Sequence, residues 1–172
     1  MPSSPVIIRP VRREDAIDLQ THCFSRNTLE EVQQQVESNL ARMAEGQWLH
    51  LVAQVDEIVV GSAELKRETH RLLRHRAEWT GVVVDGEYQG RGIARALLAE
   101  TLTQAATWGI ELLTVGVRGG TGAEGVYHRL GFREYARLPS GFKEVCDGKL
   151  LVFDDVSLYL PVPPLASPSG PM

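Results

Sequence analysis

One stretch, residues 82–98, constrains the fold of this 172-residue chain more than any other part. Three consecutive valines are followed by an Asp-Gly break, a turn rich in glycine and arginine, and then Ile93, Leu97 and Leu98 at helical spacing. This order predicts a strand, a turn and a helix. Helices usually begin with Ser, Thr, Asp or Asn, whose oxygen accepts hydrogen bonds from the first free N–H groups. Residues 89–92, Gln-Gly-Arg-Gly, include none of these four.

The uncapped turn predicts a binding site for a polyphosphate. Free N–H groups at the start of a helix attract anions, and Gly90 and Gly92 let an anion approach the main chain without a Cβ in the way. Arg91 and Arg95 lie one helical turn apart and are expected to add positive charge on about the same side. The chain has no Walker sequence, Gly-x-x-x-x-Gly-Lys followed by Ser or Thr, which excludes ATP or GTP binding by that route.

Two motifs resemble the GNAT superfamily of N-acetyltransferases. Residues 89–94 fit the pyrophosphate-binding pattern Gln/Arg-x-x-Gly-x-Gly/Ala of that family. Residues 126–132 resemble its aromatic-Tyr-x-x-x-Gly-Phe signature at the end of the next helix, although Val126 replaces the usual Phe or Leu. The spacing between the two motifs also suits the family, and the resemblance covers roughly residues 75–135.

The resemblance implies an α/β (α+β) fold of the GNAT type. This is a central mixed, mostly antiparallel sheet of about six or seven strands flanked by about four helices, with a splayed parallel pair of strands at the cofactor site. The hydrophobic patterns predict strands at residues 6–12, 48–55, 58–65, 77–84, 111–117, 132–138 and 150–160. They predict helices from residue 13 and at residues 28–44, 92–108 and 123–130.

The order of these elements predicts the sheet connection and the domain boundary. A crossover helix joins the predicted strands 77–84 and 111–117, which implies that these two strands are parallel. We expect a single domain over residues 1–160. Residues 161–172 are rich in proline and contain little that could pack, so we expect a mobile C-terminal tail.

The resemblance also implies an activity, acetyl-CoA-dependent N-acetylation, in which the acceptor amine attacks the thioester directly and no metal takes part. Acetyl-CoA would be the co-substrate. The main chain of Val82, Val83 and Val84 would pair with the pantetheine arm and the thioester carbonyl. The pyrophosphate would lie on the turn and helix start formed by Gln89, Gly90, Arg91, Gly92, Ile93, Ala94 and Arg95.

Acetyl transfer to an ammonium also needs a proton acceptor and a group that stabilises the leaving thiolate. Tyr127 occupies the family's tyrosine position, which implies a general acid; the alternative is an aromatic ring that only packs on the cofactor. Glu78 is the candidate general base, because its distance before the pyrophosphate motif is similar to that of the catalytic glutamate in histone-acetylating members. Strand alternation places Glu78 on the face of Thr80, Val82 and Val84 if no bulge intervenes. The alternative for Glu78 is a salt bridge with a neighbouring arginine.

Weaker candidates for the base are Glu124, His128 and His50, which we interpret as surface or structural residues. Gly120 stands where many members of the family have an Asn, so the hydrogen bond from that Asn to the cofactor is in doubt in this chain.

The motifs leave the acceptor open. Residues 76–78, 123–127 and 138–160 are similar to the tabtoxin-resistance branch of the family, which implies a small amine-bearing metabolite or antibiotic as the acceptor. A protein or peptide N-acetyltransferase and a non-catalytic acyl-CoA-binding module are the alternatives. Glu78 and Tyr127 favour catalysis, because binding alone needs neither.

Charge and hydropathy disfavour some classes of binding partner and a membrane-spanning segment. Eighteen Lys and Arg against 22 Asp and Glu give a net charge of −4, which disfavours nucleic acid and anionic membranes as partners. The chain begins without a basic leader, and no apolar run approaches the roughly 18 residues of a spanning helix. We expect a cytoplasmic protein. The resemblance further implies a homodimer, a state that the family often adopts.

Three other sequence features have alternative interpretations that the sequence distinguishes less clearly. Residues 120–125 formally match a Gly-x-Gly-x-x-Gly dinucleotide motif, but the helix behind them is too short, so we interpret them as a flexible turn beside the acyl site. The basic segment 66–76 is interpreted as a solvated loop, with a contact to a phosphate or an acidic partner as the alternative. Cys23 and Cys146 are interpreted as free thiols, while a disulfide or an acyl-enzyme nucleophile stays open.

Overall fold

The structure, a computed structural model, describes residues 4–166, and all elements below lie in that range. The strands are β1 (Ile7–Pro10), β2 (Trp48–Val55), β3 (Ile58–Arg67), β4 (Arg76–Val84), β5 (Leu112–Arg118), β6 (Arg133–Cys146) and β7 (Lys149–Pro161). The α-helices are α1 (Ala16–His22), α2 (Leu29–Ala44), α3 (Ile93–Thr107) and α4 (Gly122–Arg129). Short 3-10 helices cover Arg13–Asp15 and Gly86–Tyr88.

The strands form one mixed sheet in the order β1-β2-β3-β4-β5-β7-β6, in which only the pairing of β4 with β5 is parallel. The parallel ladder is short: it joins Arg76 to Leu112, Ala77 to Leu113 and Glu78 to Thr114. Beyond Glu78 the two strands separate. These features confirm the predicted α/β fold with a splayed parallel pair.

Helices cover the two faces of the sheet differently. Helix α3 packs on one face, where Leu97 is buried in a core with Leu65, Trp79 and Leu113. Helices α1 and α2 pack over β2 and β3 on the opposite face. The predicted capping box at the start of α2 is confirmed, because Thr28 accepts a hydrogen bond from the Glu31 N–H and the Glu31 side chain accepts one from the Thr28 N–H.

A bulge in β4 corrects the predicted alternation of side chains. Thr80 pairs with Glu64 and Val83 pairs with Ser62, so Gly81 and Val82 together face a single residue of β3. Gly81 has a φ of +60°, which glycine adopts without strain. The extra residue reverses the faces beyond it. Glu78 therefore shares its face with Thr80 and Val83, whereas Val82 and Val84 pack against the core under α3.

The C-terminal hairpin departs from the prediction at one strand. Strand β6 continues past the predicted end at residue 138 to Cys146. Pro139 and Gly141 resemble strand breakers, but a shift of register between Leu138 and Phe142 accommodates them, and Ser140 has a φ of +56° there. The strand bends at this point instead of ending.

The segment that follows β7 is in part packed. The Val162 N–H donates to the Glu111 carbonyl (2.8 Å) and the Val162 side chain is buried. Residues 167–172 of the expected tail lie outside the described residues. Among residues 4–166, no helix combines the length and the apolar character needed to cross a membrane.

Candidate active site

A cavity of about 860 Å³ opens where β4 and β5 separate. The end of β4 lines one side, the turn before α3 and the first turn of that helix line the second, and α4 lines the third. All the predicted cofactor-binding residues except Arg91 line this cavity, and so does Tyr127. Tyr88 and residues of α4 and its C-terminal end complete the lining, the latter being Gly122, Ala123, Val126, Arg129 and Leu130.

The turn before α3 presents free backbone N–H groups to the cavity. Gly92 is the residue at the N-cap, with a φ of +79° and no side-chain hydrogen bond to the helix start. The Ala96 N–H donates to the Gly92 carbonyl, which leaves the N–H groups of Ile93, Ala94 and Arg95 without an acceptor within the helix. A Cβ added at Gly92 would meet no atom within 4 Å. The start of a 15-residue helix therefore faces open space and is suited to an anion.

The two arginines of the turn differ from their predicted arrangement. Arg95 lines the cavity, and its Nη2 donates to the Arg129 carbonyl at the end of α4 (3.3 Å). The Arg91 guanidinium instead lies over the Tyr88 ring, 4.8 Å from its centre, and donates to the Glu87 carbonyl. A cation that stacks on a ring gains a favourable contact that the sequence pattern does not reveal. Of these two arginines, Arg95 lines the cavity and Arg91 does not.

Tyr127 is held at the cavity by other aromatic rings. Its ring makes edge-to-face contacts with Trp79 (6.0 Å) and Phe132 (5.6 Å). The Trp79 indole is in turn anchored by a hydrogen bond to Thr101 Oγ1 (3.2 Å). Burial raises the pKa of Tyr127 to about 12. The phenol therefore remains protonated at neutral pH and is available as a hydrogen-bond donor.

Glu78 lies at the point where β4 and β5 part. It is the last residue of the parallel ladder and faces Lys66 on the β3 side. Within residues 4–166 its carboxylate has no hydrogen bond or ion pair, so the salt bridge considered as an alternative is not formed. Because Trp79 packs under α3 with Tyr127, its neighbour Glu78 projects to the opposite face. The two predicted catalytic residues thus lie on opposite faces of the sheet.

The weaker candidates have structural partners. His50 is fully buried, with Nδ1 at 3.0 Å from the Asn39 amide nitrogen and Nε2 at 2.9 Å from Ser62 Oγ. Burial lowers the pKa of His50 to about 4, which keeps the ring neutral. The Glu124 carboxylate accepts from the Gly120 N–H (2.6 Å), and His128 is 3.8 Å from the same carboxylate.

The structure also brings forward a residue that the sequence reasoning missed. Glu64 of β3 is buried, and its carboxylate accepts hydrogen bonds from Trp48 Nε1 (2.9 Å) and Gln35 Nε2 (3.1 Å). The available signal was the single charged residue in the run 58–65, in which Ser62 is the one other polar residue.

The two cysteines are free. Burial, together with the charges of Asp85 and Asp18, raises the pKa of the Cys23 thiol to about 12. A thiol in this state is a weak nucleophile.

Comparisons with known proteins identify the family. A family model described as an acetyltransferase (GNAT) domain matches residues 14–143. No curated protein sequence matches the chain significantly. Among solved structures, a ribosomal-protein-alanine N-acetyltransferase from Brucella melitensis is 25% identical, with a TM-score of 0.74, over 90% of this chain and 99% of that one.

Two further structures support the fold. The yncA protein of Salmonella typhimurium, solved with its cofactor acetyl-CoA, is 21% identical over 95% of this chain and 98% of its own, with a TM-score of 0.76. A phosphinothricin acetyltransferase from Sinorhizobium meliloti in complex with acetyl-CoA is 16% identical over 91% of this chain and 88% of its own, with a TM-score of 0.73. With a family model that covers most of its length, the chain belongs to the GNAT family of acetyltransferases and is an acyltransferase.

Proposed function

We propose that this enzyme transfers the acetyl group of acetyl-CoA to a primary amine of a small molecule, by direct attack of the amine on the thioester. One observation carries the proposal. The gap between β4 and β5 has an uncapped helix start at one end, Tyr127 on one face and a free carboxylate, Glu78, on the other. Binding alone would require only the first of these three features.

Acetyl-CoA is the co-substrate, and the residues at the cavity fit it. The free N–H groups of Ile93, Ala94 and Arg95 would hold the pyrophosphate, and the open space at Gly90 and Gly92 admits it. The main chain of residues 82–84 has no partner on β5 and would pair with the pantetheine arm. Acetyl-CoA in the yncA and phosphinothricin acetyltransferase structures supports the same donor here.

When bound, acetyl-CoA supplies an activated acyl group, and the protein handles the protons. Glu78 accepts a proton from the acceptor ammonium, directly or through a water molecule. Tyr127 acts as the general acid on the opposite face by donating a hydrogen bond to the sulfur as the C–S bond breaks. Its pKa of about 12 lies above the ~8.5 of an ordinary thiol, so complete proton transfer from Tyr127 is uphill. The stabilising hydrogen bond is therefore its main contribution.

A protein or peptide acceptor is the second candidate. The face of β5, β7 and β6 beside Glu78 carries exposed side chains, among them Tyr135 and Leu138, and Tyr135 stacks edge-on with Tyr159. An extended polypeptide could lie along such a surface. The 25% identity to a ribosomal-protein-alanine N-acetyltransferase favours the same alternative.

The proposal includes a homodimer and a cytoplasmic location. Val145, Leu150 and Val152 share one face of the β6–β7 hairpin, and they are 72%, 60% and 46% exposed. A second copy of the chain is the partner we propose for this apolar face, through a two-fold contact. Light scattering on the wild type and on Val145→Lys tests this. The wild type should have twice the mass of the variant, and a monomeric wild type overturns the dimer.

The central experiment measures acetyl-CoA binding by calorimetry and then the release of CoA thiol on addition of primary amines, amino acids and peptides that begin with alanine. Binding followed by release with a small amine supports the proposal. Release only with peptides selects the second candidate. If acetyl-CoA binds but no acceptor causes release of CoA thiol, the protein is a non-catalytic acyl-CoA-binding module. If acetyl-CoA does not bind, the assignment of the cavity as its binding site is refuted.

Glu78→Gln tests the base with the best acceptor from that panel. We expect kcat/KM to fall about 10²-fold, because a positioned base typically contributes that much or more. The deficit should grow as the pH is lowered, since more of the amine is then protonated. A variant with the wild-type pH profile would point to another base.

A further inference from the structure

The buried carboxylate of Glu64 lies beside the gap and has no part in the mechanism proposed so far. Glu64 pairs with Thr80 across the β3–β4 ladder, and Lys66 pairs with Glu78. Directly opposed residues point to the same face, so Glu64 and Glu78 share a face and are diagonal neighbours. Such neighbours have Cα atoms about 7–8 Å apart. Both glutamates therefore lie on the face opposite Tyr127.

The surroundings of Glu64 disfavour a negative charge on its side chain. It is 4% exposed, and within residues 4–166 no cationic group lies in ion-pair distance of it. Burial raises its pKa, and hydrogen bonds from Trp48, Gln35 and Asn39 with the charge of Arg42 oppose this shift only in part. The Arg42 guanidinium stacks on the Trp48 ring, 3.6 Å from its centre. A carboxylate buried with neutral donors alone gains when a cation reaches it.

The bulge in β4 brings the Glu64 carboxylate close to the strand that borders the gap. Glu64 Oε1 lies 3.3 Å from the position that a Cβ on Gly81 would occupy. Gly81 and Val82 form the bulge, and β4 has no partner on β5 beyond Glu78. Because Gly81 has no side chain, Oε1 lies against the main chain of β4 at the bulge, next to Val82 of the cavity lining. Each carboxylate oxygen can accept more than one hydrogen bond, and Oε1 accepts one from Gln35 Nε2 (3.1 Å).

We infer that Glu64 binds the ammonium group of the acceptor at the Gly81 bulge, and that Glu78 then takes its proton. This inference rests on the proposed function and adds a residue for recognition of the substrate. It makes the acceptor site selective for cationic primary amines over neutral groups of the same shape. A purely structural role for Glu64 would give no such preference.

The test uses the Trp48 indole, which donates to Glu64, as a reporter. Protein labelled with ¹⁵N is titrated with n-propylammonium chloride, with and without CoA, and the indole N–H resonances are followed by NMR. We expect the Trp48 resonance to move and saturate, while that of Trp108 stays in place. The neutral 1-propanol should leave both resonances unchanged. In Glu64→Gln, the affinity for n-propylammonium should fall at least tenfold, whereas the affinity for CoA should stay within twofold.

Glu45→Gln is the matched control, because it removes one negative charge from an exposed site at the end of α2. It should bind n-propylammonium like the wild type. The inference is overturned if the Trp48 resonance does not respond or if Glu64→Gln binds n-propylammonium with wild-type affinity.

If Glu64→Gln does not fold, Glu64→Asp is used in its place. The shorter side chain keeps the carboxylate but moves it away from Gly81. That variant should bind at least threefold more weakly, and equal affinity overturns the inference. Failure of acetyl-CoA to bind the wild type would refute the proposed function instead. The amine titration without CoA separates that outcome from a failure of the Glu64 assignment.

Discussion

Two glycine-rich turns in this protein look alike in sequence but differ in what occupies their N–H groups. The first, residues 89–92, lies between β4 and α3, and the second, residues 119–121, lies between β5 and α4. Each contains glycine at positive φ. In the second turn the Glu124 carboxylate accepts from the Gly120 N–H (2.6 Å), and Thr121 Oγ1 donates to the Arg118 carbonyl (2.7 Å). Neither Gly92 nor Thr121 caps the helix that follows it through a side-chain hydrogen bond, but among residues 4–166 only the second turn has a carboxylate on one of its N–H groups.

The comparison shows that the two turns differ in a carboxylate bound to a backbone N–H and not in their glycine content, and we expect the turn without that carboxylate to bind the anion. The second turn and the start of α4 match the sequence pattern of a dinucleotide motif. The Gly120 N–H of this turn, however, already donates to the Glu124 carboxylate and is not free for a phosphate. That carboxylate also accepts from Arg137 (2.6 Å), which bonds Glu134 and Asp154 in addition. The second turn is thus tied to the β6–β7 hairpin. Its contribution to the site is the placement of Tyr127 on the helix that follows.

The largest expected effect comes from converting the first turn into the second. In Gly92→Asp a carboxylate would cap the free N–H groups and repel the pyrophosphate, so acetyl-CoA should bind at least 100-fold more weakly by calorimetry, which is about 2.7 kcal/mol. Gly92→Asn has the same shape without the charge, and Asn tolerates positive φ, so its loss should stay below about tenfold.

Gly125→Ala, in α4 behind the second turn, is the matched control. The added Cβ would meet only the end of the Arg129 side chain, at 3.3 Å, and binding should stay within twofold. Equal losses in Gly92→Asp and Gly92→Asn would contradict the electrostatic explanation and leave only a steric one.

A second prediction concerns the residue that the second turn positions. Tyr127→Phe keeps the ring between Trp79 and Phe132 but removes the donor, so kcat should fall about 10²-fold while the Kd of acetyl-CoA stays within twofold. Steady-state kinetics with calorimetry on the same preparation measures both. Unchanged kcat would remove Tyr127 from the chemistry and leave it as a packing residue.

The smallest expected effect comes from the hydrogen bonds that the Glu124 carboxylate accepts from the Gly120 N–H and from Arg137. The Gly120 N–H and the Arg137 side chain lower the pKa of Glu124. The resulting stabilisation is present in full above the unfolded-state pKa, about 4.5, and is lost as the pH falls through the lower folded-state pKa. Glu124→Gln should therefore lower Tm by about 3 °C at pH 7, and the difference from the wild type should disappear toward pH 3.

Thermal scans at a series of pH values check this prediction. Acetyl-CoA binding by Glu124→Gln at pH 7 should stay within threefold of the wild type, because the hydrogen bonds of Glu124 stabilise the second turn and not the first. A difference in Tm that persists at low pH would show that the charge of Glu124 is not the stabilising feature.

Local sequence was sufficient for the elements whose signals lie within a few residues. The capping box at Thr28 and the succession of strand, uncapped turn and helix over residues 82–98 each depend on neighbours in the chain, and the structure contains both. The position of Tyr127 at the cavity also followed from a motif and its spacing.

Contacts between distant segments decided the rest. The bulge at Gly81 exists only in the pairing of β4 with β3, and it alone turns Val82 and Val84 away from the face of Glu78. The stacking of Arg91 on Tyr88 depends on how the turn folds back on itself. The sequence by itself determined the family's fold and the uncapped turn, because these depend on short-range patterns. Tertiary structure decided that Glu64 lies buried beside the gap, because its burial requires three strands and a helix to meet.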